Sequence, residues 1–468
     1  MTLRMHSFVC ALLLAGACSD GSSAPVRERD DEDTPSDDPT SEQDDDPPPR
    51  MRDGGPLDAA PRPDANVVIA DAGDSAKPPA EPPAPEFKDP GTGAWTAVAD
   101  DEVAAKCKLD PTLLATADTQ INAPYAIVRY GQLCHEFRGG DRAAEVYSAT
   151  KTLGAVVFGA ASYQTRDLPR SGTKTGPLRD TDEATFWLDR VSFNQEAHLA
   201  HVLAMEAHNR DLTQLTYAYD TVGSTQINRL SDAINAAIAQ DADRLGANID
   251  AFTKKFVFEP LGIGSSSWSG GSANKNFAYT WSSTLQDMAR IGLLVMHRGS
   301  WNGERVLGED FAYKMTHPSF EAANTAYGYL TWLNARTGGT GPGGAGTGTG
   351  GDPCAPAAVW QRYPHGTFSP ATDCGFAAPH SCAQKYDVGV WSAQGLGGQF
   401  IVGHAGLDLV IVAKNFSGEG PTGLWRAIRP ALVKLDPTYG GDEAAFCKAY
   451  GANDYAPDLV GTVTQPAD

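Results

Sequence analysis

The chain has 468 residues and a formal net charge of −21, which comes from 58 acidic and 37 basic residues. This acidity is concentrated near the N-terminus, because residues 1–90 account for −12 of the charge. No cluster of basic residues follows, so the composition argues against a nucleic-acid partner. The length would allow two or three domains, but the first ninety residues do not have the composition of a folded protein.

The first twenty residues have the pattern of an export signal. Arg4 precedes an apolar run from Phe8 to Leu14, which is too short to span a bilayer. The letters "LAGAC", which end at Cys18, resemble the lipobox of bacterial lipoproteins. We therefore expect residues 1–17 to be a signal peptide and Cys18 to carry lipid. The protein would then be exported and anchored to a bacterial membrane, with the outer membrane expected and the domain on its periplasmic or surface face. An ordinary cleaved signal peptide is the alternative.

Residues 18–95 are predicted to be the lipidated N-terminus and a disordered tether. Fifteen of the 32 prolines lie in residues 19–90, together with 20 acidic residues, 7 basic residues and no aromatic residue before Phe87. Such a segment buries too little apolar surface to offset the entropy lost on ordering. We predict one folded domain at 96–450 and a C-terminal tail at 451–468.

Six cysteines remain once Cys10 is removed with the signal and Cys18 is assigned to lipid. An even number in an exported chain favours disulfides, although the sequence does not select the pairing. A bridge within 354–382 is our expectation, because three cysteines lie in that loop-rich stretch. Their spacings do not resemble a zinc site, and we expect no metal. The six are Cys107, Cys134, Cys354, Cys374, Cys382 and Cys447.

The elements after the tether follow the order strands, helices, strands, helix. "PYAIVRYGQLCHEF" at 124–137 predicts two strands around a Tyr-Gly turn, and an apolar helix begins near Ser148. Helical patterns fill about 150–255, and a later amphipathic helix ends at Gly299. Residues 337–385 are rich in Gly, Pro and Cys, which predicts a surface insertion. "GGQFIVGHAGLDLVIVAKNF" predicts two strands and "GLWRAIRPALVKL" a final helix. We predict an α/β (α+β) fold whose sheet is assembled from both ends of the domain.

Three Ser-x-x-Lys pairs occur in the chain, and their contexts differ. Residues three apart on a helix share one face, so a serine hydroxyl and a lysine amine can touch there. Ser148 opens a helix, whose first amides favour a developing oxyanion, and it is the predicted nucleophile with Lys151 as its base. The other two pairs lie in predicted loops, where we expect the lysines to face water. The three pairs are Ser148–Lys151, Ser171–Lys174 and Ser272–Lys275.

The Ser148–Lys151 pair resembles the first motif of the serine β-lactamase and penicillin-binding-protein superfamily. The similarity is to its class C-like serine hydrolase branch, near esterases and nylon-oligomer hydrolases. A tyrosine motif follows in that branch, and "YAYDTVG" is similar to it. The resemblance implies that Tyr219, with Gly223 after it, is the catalytic tyrosine. Tyr217 is the competing assignment.

The third motif of this superfamily lies on a strand near the end of the domain, and "GLGGQFIV" at 395–402 resembles its glycine-rich form. The resemblance implies that Gly397 and Gly398 supply the oxyanion site. Three other segments imitate family motifs. "KTG" at 174–176 occurs in the wrong order, "HAG" at 404–406 is expected in a hairpin turn, and "LSDA" at 230–233 is expected on a helix surface.

The resemblance covers most of residues 97–435 and implies both a fold and an activity. The implied fold is β-lactamase/transpeptidase-like, with an antiparallel sheet flanked by helices and an all-helical subdomain. The implied activity is that of a serine hydrolase that cleaves a small ester or amide through a Ser148 acyl-enzyme, without a cofactor. A β-lactamase or D-Ala-D-Ala carboxypeptidase is the alternative. The absence of a lysine or histidine from the third motif argues against it. A non-catalytic surface lipoprotein that binds a ligand is a further alternative.

Overall fold

The computed structural model describes residues 88–140, 142–213, 215–219, 225–270, 274–317, 319–320, 327–333, 390–404, 407–418 and 420–435. Several expectations therefore lie outside the described residues. They concern the signal peptide, Cys18, most of the tether, the insertion at 337–385, the C-terminal tail, Gly223, Ser272 and the cysteines at 354, 374, 382 and 447.

The predicted elements occur in the predicted order, but two helices that were not predicted, Asp100–Cys107 and Pro111–Ile121, precede the first strand. The helices are α1 (Asp100–Cys107), α2 (Pro111–Ile121), α3 (Thr150–Thr165), α4 (Ala184–Trp187), α5 (Leu199–Leu203), α6 (Arg229–Ile238), α7 (Ala242–Leu245), α8 (Ile249–Thr253), α9 (Glu259–Leu261), α10 (Leu285–Met296), α11 (Glu309–Thr316) and α12 (Gly420–Leu435). The strands are β1 (Tyr125–Arg129), β2 (Gln132–Phe137), β3 (Ala144–Glu145), β4 (Ser267–Trp268), β5 (Trp281–Ser283), β6 (Ser300–Trp301), β7 (Glu304–Arg305), β8 (Trp332–Leu333), β9 (Val390–Gly395), β10 (Gln399–His404) and β11 (Leu409–Ala413). None of these helices is long and apolar enough to cross a membrane.

The main sheet has six antiparallel strands in the order β2-β1-β11-β10-β9-β8. Strand β1, from the beginning of the domain, pairs with β11 from its end, so that Tyr125 lies opposite Ala413. The predicted assembly of the sheet from both ends is confirmed. The β1–β2 hairpin turns at Tyr130 and Gly131, whose φ angles of 52° and 68° fit the tight turn that the Tyr-Gly pair predicts.

The two faces of the sheet are covered by different helices, because successive side chains of a strand point to opposite faces. Tyr125 and Ile127 belong to an apolar cluster with α1, α2 and α12. Ala126 and Val128 belong to the larger cluster that contains α3 and α10. The predicted antiparallel sheet flanked by helices is confirmed, and among the described residues of 150–255 the regular elements are all helical.

The ordered chain begins before residue 96, which the composition marks as the start of the domain. The Arg290 guanidinium in α10 donates hydrogen bonds to the carbonyls of Gly91 and Gly93, at 2.7 and 2.6 Å. It also lies 5.4 Å from the centre of the buried Trp95 ring. Composition alone assigns 91–95 to the tether. It cannot reveal the contact with Arg290, because that residue is about two hundred positions away in the sequence.

One disulfide joins the end of α1 to β2. It connects Cys107 and Cys134, whose Cα atoms are 6.0 Å apart. Both cysteines are buried in the cluster between the sheet and the first helices. The structure thus assigns one pair from the six predicted cysteines, and a bridge within 354–382 stays a prediction.

Candidate active site

Ser148 lies where a short strand passes into the buried helix α3. Strand β3 pairs with β5, and the Val146 N–H extends this contact by donating to the Trp281 carbonyl at 2.8 Å. A 3₁₀ turn over Tyr147–Ala149 follows, and α3 begins at Thr150. Ser148 is therefore in the first turn of a helical segment, where backbone N–H groups lack partners within the helix. This is the seat that the sequence predicted.

Lys151 lies beneath Ser148, one helical turn further along. Its Nζ is 3.0 Å from the Ser148 Oγ and 3.0 Å from the Ala278 carbonyl oxygen. The side chain is only 3% exposed. Burial disfavours the charged ammonium and lowers the pKa of Lys151 from 10.5 to about 8. About a tenth of the amine is therefore neutral at pH 7 and can accept a proton, and this fraction rises to about half near pH 8.

Tyr219 completes the predicted trio. The Lys151 Nζ lies 4.7 Å from the centre of the Tyr219 ring, and the Tyr219 side chain hydrogen-bonds with Ser148 and Trp332. Burial raises the pKa of Tyr219, and those two hydrogen bonds oppose the rise. The phenol is thus protonated at neutral pH. Tyr217 is buried with its ring 4.9 Å from that of Tyr327, and it is not one of the residues that line the cavity above Ser148.

The predicted third motif forms the hairpin turn between β9 and β10. Gly397 and Gly398 have φ angles of 74° and 81°, which other residues rarely adopt. A Cβ on Gly398 would lie 1.9 Å from the Phe416 carbonyl oxygen, so this glycine permits a close backbone contact. The glycine against the Ser148 segment is Gly395, where a Cβ would lie 2.0 Å from the Val146 carbonyl oxygen.

An open cavity of about 550 Å³ lies above Ser148. Its volume is within the range usual for small-molecule sites. None of the described residues that line it carries a charged side chain. They are Ser148, Tyr219, Trp332, Gln394, Gly395, Leu396, Gly397, Gly398, Phe400, Asn415, Phe416, Ser417 and Gly418. Aromatic walls, amide side chains and the glycine turn thus surround the serine hydroxyl.

His404, the histidine of "HAG", does not serve this cavity. It is the last residue of β10, facing Leu409 across the ladder, rather than a turn residue. Its side chain is buried, and burial lowers its pKa to about 3. His404 is therefore neutral and cannot replace the cation that the third motif lacks.

The "KTG" decoy also lies away from the site. The Lys174 Nζ binds the Asp189 carboxylate at 2.6 Å, and the Lys174 side chain is partly exposed. The Ser171 N–H donates to the Thr175 hydroxyl within the same loop. The loop assignment for this pair is confirmed.

Two expectations about the other decoys were wrong. Lys275 does not face water: its side chain is buried and its Nζ lies 2.5 Å from the Asp250 carboxylate. Ser231, in the "LSDA" segment, lies in helix α6 as predicted but is buried rather than on the surface. Its hydroxyl accepts the Lys275 N–H at 2.9 Å. Neither contact is visible in the local hydrophobic pattern, since each joins residues from different elements.

Sequence reasoning missed several residues of the site, among them Gly395, Trp332 and Ala278. Gly395 carried a signal, because it is the first glycine of the "GLGGQFIV" run. Trp332 and the Ala278 carbonyl carried none, since a single tryptophan or a backbone oxygen has no motif. Both reach the site from chain segments more than a hundred residues beyond Ser148.

Comparison with known proteins gives similarity at the level of solved structures only. No protein-family model and no curated protein matches the sequence. The chain is similar to a β-lactamase from Mycobacterium bovis, with 16% identity over 69% of this chain and 98% of that one and a TM-score of 0.40. It is similar to a β-lactamase/D-alanine carboxypeptidase from Pseudomonas syringae, with 13% identity, 71% and 99% coverage and a TM-score of 0.41. It is also similar to a family VIII carboxylesterase, with 10% identity, 69% and 99% coverage and a TM-score of 0.43.

With identities of 16% or less and TM-scores of 0.43 or less, these likenesses carry no assignment, and the superfamily stays a resemblance of the motifs. Their sequence identities are too low to transfer an activity to this chain. Any assignment of function must therefore come from the geometry around Ser148.

Proposed function

We propose that the protein is an exported serine hydrolase that cleaves an uncharged ester or amide through an acyl-enzyme on Ser148. One observation carries the proposal: the Ser148 Oγ is 3.0 Å from the Nζ of a buried lysine, at the floor of an open cavity. A serine needs a base within hydrogen-bond reach to become a nucleophile. The lowered pKa of Lys151, about 8, makes that base available.

The roles of the three side chains follow from their protonation. Neutral Lys151 accepts the Ser148 proton as the Oγ attacks the substrate carbonyl and forms the new C–O bond. Tyr219, a protonated phenol beside both groups, donates a proton to the leaving oxygen or nitrogen. It regains that proton from Lys151, and water then hydrolyses the acyl-enzyme by the reverse sequence of transfers. The route requires neither a metal nor an organic cofactor.

Backbone amides stabilise the negative charge that develops on the carbonyl oxygen. One donor is the Ser148 N–H at the start of the helical segment, where the helix dipole is favourable. The others come from the glycine turn, including Gly397 and Gly398, which the contact of Gly395 with Val146 holds beside the serine.

The substrate class follows from the lining of the cavity. A carboxylate bound among Trp332, Phe400 and Phe416 would lose hydration without gaining a cation among the described lining residues. An uncharged ester or amide does not incur this cost. The cavity therefore favours neutral substrates over penicillins or peptidoglycan stems, which carry a carboxylate.

Export and lipid anchoring at Cys18 complete the proposal. The short apolar run, the "LAGAC" letters and the acidic, proline-rich segment after them support it. The Cys107–Cys134 disulfide is consistent with an oxidising compartment outside the cytoplasm.

The test compares neutral and anionic substrates on the purified protein. We expect kcat/KM for p-nitrophenyl acetate or butyrate to exceed that for nitrocefin by about tenfold or more. A fluorophosphonate probe should label the protein in the same preparation. Efficient nitrocefin turnover with weak esterase activity would establish the β-lactamase alternative instead. Absence of both labelling and turnover would favour a non-catalytic binding module.

A further inference from the structure

The large apolar side chains that face solvent are concentrated around the candidate site. Among the described residues, three large apolar side chains are exposed to solvent: Tyr147, Tyr279 and Leu396, at 40%, 50% and 76%. Single exposed apolar side chains are normal on a protein surface, whereas several together mark a binding surface. We call these three residues the apolar rim.

Each rim residue directly adjoins a residue that builds the site. Tyr147 precedes Ser148, and Leu396 follows Gly395 and itself lines the cavity. Tyr279 follows Ala278, whose carbonyl accepts the Lys151 amine at 3.0 Å.

The three chain segments that carry the rim also contact one another. The Thr280 N–H donates to the Glu145 carboxylate at 3.2 Å, which ties the Tyr279 segment to the strand before Ser148. A Cβ on Gly395 would lie 2.0 Å from the Val146 carbonyl oxygen, which places the Leu396 turn against the same strand. The rim residues thus lie on three segments that meet beside Ser148, and Leu396 lines the cavity above it.

The backbone beside two rim residues is strained. Tyr147 has a φ of 48° and Thr280, next to Tyr279, has a φ of 85°. Such angles are uncommon for residues other than glycine, above all for a β-branched threonine. Strain of this kind persists where the surrounding structure enforces it, and it clusters at functional sites. Two of the segments that carry the rim therefore contain strained backbone of the kind found at functional sites.

We propose that the apolar rim binds the hydrocarbon chain of a medium- or long-chain carboxylic ester whose scissile bond lies at Ser148. This inference rests on the proposed hydrolase function and specifies its substrate class. Leu396 lines the cavity together with Trp332 and Phe400, so a chain that leaves the cavity over Leu396 reaches the segments that carry the two exposed tyrosines. Its burial supplies binding free energy in proportion to chain length, without any charged contact.

The experiment measures kcat/KM for p-nitrophenyl esters from acetate to octanoate, each below its critical micelle concentration and divided by its rate of alkaline hydrolysis. For the natural protein we expect kcat/KM to rise about twofold per added methylene. This rise corresponds to about half the free energy gained when a methylene is fully buried. In the double variant Leu396→Ser/Tyr279→Ser, the octanoate-to-acetate ratio should fall by about fivefold or more. Tyr163→Ser, near the far end of α3 from Ser148, is the matched control and should leave the ratio unchanged.

The outcomes separate the rim from the hydrolase. A flat chain-length profile with normal acetate turnover and probe labelling would overturn the rim proposal and leave the hydrolase intact. If the natural protein showed neither acetate turnover nor labelling, the proposed hydrolase function itself would be overturned. A further assay measures how much of the protein sediments together with phosphatidylcholine vesicles. If the rim variant lost vesicle binding but kept the full ester gradient, the rim would be a membrane-docking surface and our proposal would be wrong.

Discussion

Two regions of this protein contain the same Ser-x-x-Lys spacing in opposite surroundings. At Ser148 the lysine is buried and contacts a hydroxyl and a backbone carbonyl, so its pKa falls to about 8. At Ser171 the lysine is partly exposed and contacts the Asp189 carboxylate, whose pKa it lowers. The spacing brings a hydroxyl and an amine within reach, but desolvation is what converts the amine into a base.

A third lysine shows that burial alone is not sufficient. Lys275 is nearly as buried as Lys151, yet it lies 2.5 Å from the Asp250 carboxylate and donates to the Trp268 carbonyl. The proposed base is the buried lysine whose amine lies 3.0 Å from a serine hydroxyl at the cavity, and the following predictions test that distinction.

The largest expected effect comes from removing the nucleophile. Ser148→Ala should lower kcat by about 10⁴-fold or more and abolish fluorophosphonate labelling, because no acyl-enzyme can form. Ser171→Ala, the matched change in the second region, should leave both measurements at the level of the natural protein. Labelling that survives in Ser148→Ala and disappears in Ser171→Ala would reverse our choice between the two regions.

A smaller loss is expected when the base is removed. Lys151→Met keeps an unbranched side chain of similar length but removes the proton acceptor, so kcat/KM for p-nitrophenyl butyrate should fall by about 10²- to 10⁴-fold. Circular dichroism should show an intact fold, since methionine replaces an amine that is costly to bury. Lys174→Met is the control and should retain full activity. Equal losses in the two variants would contradict the distinction between the buried and the exposed lysine.

Local patterns in the sequence predicted the elements that carry the site, because those elements depend on neighbouring residues. The apolar run after Ser148 became α3, and the two runs on either side of "HAG" became paired strands. Contacts between distant segments could not be predicted in this way. The approach of Gly395 to Val146, the Ala278 carbonyl beneath Lys151 and the hold of Arg290 on the N-terminal segment all appear only when the chain folds.

The smallest expected effect is a change of rate with pH, and its sign follows from the pKa of Lys151. Burial lowers this pKa from 10.5 to about 8, and only the neutral amine can accept the Ser148 proton. Below about pH 8, kcat/KM should therefore fall by about tenfold for each pH unit, and above it the rate should level off. Burial raises the pKa of Tyr219, which keeps its phenol protonated across the lower part of that plateau. The measurement is a profile of p-nitrophenyl butyrate hydrolysis between about pH 6 and about pH 10, followed at the isosbestic wavelength of p-nitrophenol. The residual activity of Lys151→Met should show no such fall at acid pH, whereas Lys174→Met should show the same fall as the natural protein. If the fall at acid pH persisted in Lys151→Met, the base would be another residue, because the titrating group could not then be Lys151.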